Sequence, residues 1–399
     1  MDPPGLYGDS PHPIEAMIYS PEALIAPQFL RAPGGTAASA NERWFLRQIW
    51  LHPRISRREI TSRSELVQQS VHRILDQLEE RGVISFGEPK SGLGPGQPSP
   101  MLSLNGSYAH SFGISVNTDV MGICMMDFAG AVLGEASLPL HGQTVEAALA
   151  QAQQKMTKLC KARALDADRC FGIGLGIAGW NVGGTRFSAS LPLHAWSLIE
   201  LGPLLSGFFG QPVWVHNGAN TAAIAEAQFG VGRHIRHFAY LSFNYGFGAG
   251  MINDGELLVG GNGNAGEFGH LLRDNVPRPA LQFLMEKLRA NDVAVHSVSQ
   301  LQREFDPTWP GAAEWVEETS PSCNRLVDAI TDVFDPQAIV FGGQVPPALA
   351  QMFIERREPL REVARYGVPR PVPKLITSDI RGDAQALGAA AVPFKSEFF

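Results

Sequence analysis

A chain of 399 residues is long enough for two to three domains. With 44% hydrophobic and 18% charged residues it can bury a sizeable core, which excludes extended disorder. Its net charge of −7 argues, as an average, against a protein that coats nucleic acid.

Residues 1–40 carry seven prolines and no sustained period of either kind, the composition of a flexible or loosely docked arm. The opening MDPPGLYGDSPHP lacks the positive start and apolar run of a secretory leader, and no stretch approaches the run of about 18 apolar residues that a membrane span needs. The chain therefore reads as cytoplasmic, without a membrane partner.

From residue 41 to 100 the texture changes: nine Lys and Arg stand against seven Asp and Glu, a net +2, which leaves −9 for the rest. A modestly basic module precedes an acidic body. NERWFLRQIWLH places Phe45 and Ile49 four apart and stops at Pro53. Ser56 with Glu59 three residues on forms a capping box for a short second helix, SRREIT. LVQQSVHRILDQLEERG puts Val67, Val71, Ile74, Leu75 and Leu78 on one helical face and ends at Gly82. The opposite stripe holds Gln68, Gln69, His72 and Arg73, with Ser70 beside them. Glutamine can pair bidentately with adenine and arginine with guanine. VISFGEPK and PMLSLN then read as two strands joined by the loop SGLGPGQPS. Three helices and a β-hairpin are the order of a winged helix-turn-helix, whose third helix enters a major groove. The same pattern also suits a small three-helix element used for protein contact.

Beyond residue 105 strands and helices alternate. AHSFGISV, GICMMDF and AVLGEASLPL read as an antiparallel meander, residues 145–164 as a helix, and FGIGLGIAG and QPVWVHN as buried strands. ANTAAIAEAQFG is a small-residue helix, FAYLSFNYGFGAGMINDGELL a hairpin with an Asp-Gly turn, NRLVDAITDVF a helix, AIVFGG a strand, and GDAQALGAAAV a last helix. The pattern predicts an α/β body of two similar lobes.

Three stretches, HNGANTAAIAEAQFG at 216–230, LLVGGNGNAGEFGH at 257–270 and DPQAIVFGG at 335–343, resemble the ROK family of repressors, open reading frames and kinases. The resemblance implies a winged helix-turn-helix over 41–105, then a two-lobed, actin-like (ribonuclease-H-like) ATPase fold over 106–399 that binds ligand and oligomerises.

Kinases of this family use an aspartate as base after the asparagine that ends a strand, because a neutral sugar hydroxyl is a poor nucleophile. Here Asn217 is followed by Gly218. The first phosphate loop, Asp-x-Gly-Gly-Thr in the family, reads Ser115-Val116-Asn117-Thr118-Asp119, and the second, Gly-Thr-Gly, reads Asn244-Tyr245-Gly246, which would set a bulky ring where phosphate sits. Beyond His270 the family's Cys-rich zinc loop, with a sugar-binding glutamate, is replaced by LLRDNVPRPALQFLMEKL. The four cysteines, Cys124, Cys160, Cys170 and Cys323, form no CxxC. No catalysis, cofactor or metal is expected.

The resemblance places Asn217, Glu267 and His270 around a sugar, with Gly261 and Gly263 allowing close approach; a vestigial cleft in which Glu267 and His270 bond each other or the backbone is the other reading. On the head, Gln68, Gln69, Ser70, His72 and Arg73 are expected on bases, and Arg57, Arg58 and Lys90 on phosphates. Gln97 replaces the family's wing arginine and should weaken the electrostatic part of binding. The expected partners are a palindromic double-stranded DNA operator, a carbohydrate effector and further copies of the chain as a homodimer or homotetramer. A kinase with a rearranged site, in which Asp119 is the sole candidate base of the first loop, and a protein-binding module remain the alternatives.

Overall fold

The computed structural model describes residues 37–88, 99–272, 276–358 and 365–399, with the backbone alone for His270 and Arg365. Nearly all of the expected arm, and the loop that holds Lys90 and Gln97, lie outside the described residues.

The head opens with α1 (Ala40–Leu51), where Ser39 and Glu42 form a reciprocal capping box that the sequence reading passed over. α2 (Arg57–Arg63) is capped by Ser56 and Glu59 as their spacing predicts. α3 (Gln68–Glu80) starts later than expected. Val67 is its extended N-cap and 71% exposed, so the buried face is Val71, Ile74, Leu75 and Leu78 without it. Strands β1 (Ile84–Gly87) and β2 (Met101–Leu104) pair antiparallel. The Leu102 N–H donates to the Ile55 carbonyl at 2.8 Å, tying the wing to the entrance of α2.

The first lobe comprises β3 (His110–Val116), β4 (Val120–Asp127), β5 (Val132–Pro139), α4 (Val145–Ala162), β6 (Cys170–Ile177), a small hairpin of β7 (Trp180–Gly183) and β8 (Arg186–Ser188), α5 (Leu201–Phe209), β9 (Val213–Asn217) and α6 (Gly218–Phe229). The second comprises β10 (Phe238–Phe243), β11 (Phe247–Asn253), β12 (Glu256–Leu257), α7 (Leu281–Ala290), α8 (Val298–Glu304), α9 (Ala312–Phe334), β13 (Ala338–Gly343), α10 (Pro347–Glu355) and β14 (Lys374–Thr377), after which α11 (Ala384–Phe398) returns to pack on β3 and β6 of the first. Their sheets, ordered β5-β4-β3-β6-β9 and β12-β11-β10-β13-β14, repeat one plan: an antiparallel meander extended by two parallel strands. The expected single hairpin over 238–257 is two, the second turning at Asp254 and Gly255, whose φ values of 53° and 78° suit a two-residue turn.

The alanine-rich α6 and α11 pack together between the sheets, and their closeness requires residues without side chains. A Cβ on Gly388 would lie 1.7 Å from the Thr221 carbonyl oxygen, and one on Gly113 2.0 Å from that of Ala386. The head is not a separate bead. Phe45, Ile49, Leu75 and Leu102 share one apolar cluster with Tyr108, Phe128, Phe171, Phe394 and Phe398, so the expected boundary at 105/106 runs through a continuous core. Burial of this kind, at roughly 25 cal/mol per Å² of apolar surface, fixes the head against the C-terminal helix.

Candidate functional site

On the head, α3 turns Gln68, Gln69 and Arg73 to solvent, while Ser70 and His72 are half-buried. The apolar face fixes this phase, since residues three and four apart share a side. Arg58 is exposed at the start of α2, its N–H accepted by Ser99 Oγ at 3.1 Å. Arg57, expected at a phosphate, is instead engaged within the head. Its Nη2 donates to the His72 carbonyl at 3.2 Å and pairs with the Asp76 carboxylate, and its guanidinium lies 5.0 Å from the centre of the Phe86 ring. It braces α2, α3 and the wing. This pairing crosses two helices, which a linear reading of charge does not reveal.

The cleft between the lobes is bridged at the residues singled out for sugar. Asn217 ends β9 and caps α6, accepting from the Ala219 N–H at 2.7 Å. Its Nδ2 donates to the Gly179 carbonyl at 2.7 Å and to Glu267 Oε1 of the second lobe at 3.1 Å. Beside it stands a pair that the sequence reading missed: the Asn181 N–H donates to Asn264 Oδ1 at 2.7 Å, and Asn264 Nδ2 returns a bond to the Asn181 carbonyl at 2.9 Å. The asparagine amide here substitutes for a strand neighbour. Gly263, at φ 75°, packs beneath Asn181, which lies 3.6 Å from where a Cβ would stand. Gly261 is exposed, and a Cβ there would meet no other described atom within 4 Å. His270 falls in a short turn, and its side chain is outside the description.

Apart from the cleft at Asn217, a second cavity of about 240 Å³ lies between the lobes, lined among others by Asn117, Ser242, Asn244, Gln344 and Asp383. Asp383 caps α11 through the Ala386 N–H at 3.0 Å and accepts from Ser115 Oγ; burial pushes its carboxyl up. The Tyr245 ring does not occupy this space: it packs against the core of the second lobe, and Asn244 faces the cavity instead. Asp119 accepts from both the N–H (3.0 Å) and the hydroxyl of Ser299 in α8, which joins the lobes, while its Oδ1 is buried without a partner among the described residues. No group of three or more His, Cys, Asp or Glu that could hold a metal occurs among the described residues.

Residues 46–85 match the winged helix-turn-helix DNA-binding model, and residues 111–395 match the model of the ROK family. The chain belongs to the ROK family. It is 27% identical over 369 residues to the uncharacterized protein y4fQ of Sinorhizobium fredii, covering 90% of this chain and 92% of that one. It is 25% identical over 343 residues to the xylose repressor of Caldicellulosiruptor bescii, covering 77% and 83% respectively. Among solved structures, a ROK family transcriptional regulator, described as a homolog of the E. coli MLC protein, aligns with a TM-score of 0.66 at 21% identity over 89% of this chain and 95% of that one. That likeness establishes the fold: a winged head on a two-lobed ROK body. No helix among the described residues is long and apolar enough to cross a membrane.

Proposed function

We propose that this ROK protein is a DNA-binding transcriptional repressor whose sugar-kinase-like body binds a carbohydrate effector and carries out no phosphoryl transfer. The observation that carries the reading is α3, which projects Gln68, Gln69 and Arg73 into solvent from a head matching a winged helix-turn-helix. A homodimer or homotetramer would present two heads to a palindromic operator. Ser70 and His72 complete the base-facing set, and Arg58, Lys90 and Gln97 contact the backbone and wing groove. The effector acts through its different affinities for the states that do and do not bind DNA. Asn217 and Glu267 hold its hydroxyls, with Gly263 and His270 near them.

Against phosphoryl transfer stand Gly218 in place of a base and the engagement of Asp119 with Ser299. Loss of a positioned base alone typically costs on the order of 10²-fold to 10⁴-fold. Selection of duplexes from a random pool tests the repressor reading: an enriched inverted repeat is expected, and failure to retain any duplex sinks it. Turnover of ATP with hexoses or amino sugars, abolished by Asp119→Ala, would establish the kinase alternative.

A further inference from the structure

The first helix of the head is held by both lobes. Trp50, near the end of α1, lies over Gly130 of the first lobe so closely that a Cβ there would stand 2.4 Å from the ring. The same ring is 4.9 Å from Phe399 and 5.9 Å from Phe229, centre to centre. One turn earlier, Arg47 Nη2 pairs with Glu256 Oε1 at 2.6 Å. The other oxygen of Glu256 accepts from Lys395 Nζ of α11 at 2.5 Å, and Arg43 donates to the Lys395 carbonyl at 3.4 Å. The Lys395 side chain is 19% exposed, so its charge depends on this partner.

Glu256 belongs to the second lobe, on the short edge strand β12, opposite Asn253 of β11. The turn before it is stiffened by Arg236, which donates to the Asp254 carboxylate at 2.7 Å and to its carbonyl at 2.8 Å. The chain that leaves Glu256 runs without a further helix or strand into the cleft segment. There Ala265 N–H donates to the Val259 carbonyl, Asn264 clasps Asn181, and Glu267 accepts from Asn217. One segment therefore grips the head at its start and the ligand cleft at its end. The second cavity reaches the same residue by another path, since α11 begins at Asp383 in that cavity and carries Lys395 near its far end.

We infer that Glu256, held between Arg47 and Lys395, is the coupling residue through which the position of the cleft segment 258–267 sets the orientation of the DNA-binding head. The inference rests on the repressor reading, because it supplies that reading with its link from ligand to DNA. A ligand that displaces the Asn217–Glu267 bond moves the segment; the short path to Glu256 passes the movement to α1 at Arg47, while Trp50, one turn on along the same face, stays seated on Gly130 of the first lobe. The head, held through α1 to both lobes, then follows neither lobe alone. A ligand biases such an element only as far as its affinities for the two arrangements differ.

Amide hydrogen exchange on the full chain tests this without a known effector. Glu267→Gln weakens the cleft bond, and in the wild-type background it is expected to change exchange in residues 40–51 several-fold. In a Glu256→Gln background the same substitution is expected to leave residues 40–51 unchanged, while exchange near Asn217 still responds. An equal response of α1 in both backgrounds, or none in either, overturns the coupling. Arg47→Gln breaks the link from the head side and substitutes for Glu256→Gln if that variant does not fold. Failure of the wild type to retain any duplex would sink the repressor reading and leave the exchange result standing, so the two failures are distinguishable.

Discussion

Asn217 hydrogen-bonds to Glu267 across the cleft, at 3.1 Å, with the same side chain that caps α6. Carboxylate and amide thus occupy each other where a sugar would require both. On the proposed reading, an effector that takes hydroxyl bonds from both groups competes with this bond, so its binding is linked to the geometry of the cleft.

The two duties of Asn217 can be separated. Serine caps a helix about as well as asparagine, whereas alanine typically costs about 1 kcal/mol at such a position. Asn217→Ser is therefore expected to keep most of the stability and lose contact with the carbohydrate. Thermal-shift titration with monosaccharides checks this: a sugar that raises the midpoint of the wild type by mass action should leave Asn217→Ser unmoved. Retained stabilisation would mean that the amide does not touch the ligand.

Arg57 and Asp76 lead to a second prediction, with an unusual sign. Asp76 is an exposed carboxylate on the face of α3 that carries His72 and Arg73, and it holds the guanidinium that bridges α2 and the wing. Asp76→Ala removes an anion and releases a cation, so DNA binding should tighten. Each newly neutralised phosphate steepens the plot of log affinity against log salt by about 0.9. Arg57→Ala should act oppositely, weakening binding and loosening the head through the lost contacts with His72 and Phe86. Affinity titrations over a range of salt distinguish the pair from an Arg57 already on phosphate, for which Asp76→Ala would leave the slope unchanged.

How much of this was legible follows from how local each signal is. The head helices could be read because apolar period and capping chemistry act within one or two turns, and the buried strands because runs such as FGIGLGIAG leave few alternatives. Val67 was misplaced because the period continues into a residue that the loop draws into an extended conformation. The helices α5, α7 and α10 and the hairpin β7–β8 went unread because their short apolar patterns are completed by packing on neighbours distant in sequence. The cleft was legible in part. Asn217 and Glu267 followed from resemblance, but the clasp of Asn181 on Asn264, 83 residues away, has no local mark. Glu256 with Lys395, 139 residues apart, has none either.

Arg73 carries a third expectation. It is exposed on α3, and its phase places it beside Gln69 one turn away. Arg73→Ala is expected to weaken operator binding by about 1–3 kcal/mol and to relax choice at one base pair. Affinity measured on a panel of single-base operator variants checks this. A uniform loss across the panel would assign Arg73 to the backbone.

The last expectation concerns acid. His110 is 2% exposed at the start of β3, and its Nε2 lies 3.6 Å from Cys160 Sγ. Burial pushes its imidazole down to about 4, against a smaller upward pull from Asp166. A group depressed in the folded state contributes stability that is fully present above its unfolded value, near 6.5, and lost as pH falls toward about 4. His216, also pushed down to about 4 by burial, adds to this, while Asp127, Glu226 and Asp383, raised by burial, work against it over the same range. Comparing the wild type with His110→Phe cancels the background. At 1.36 kcal/mol per pH unit, the wild type should lose about 2 kcal/mol relative to the variant between pH 7 and pH 4.5. Urea titrations of both proteins at the two pH values measure the difference, and an unchanged difference would mean that His110 is not held neutral in the fold.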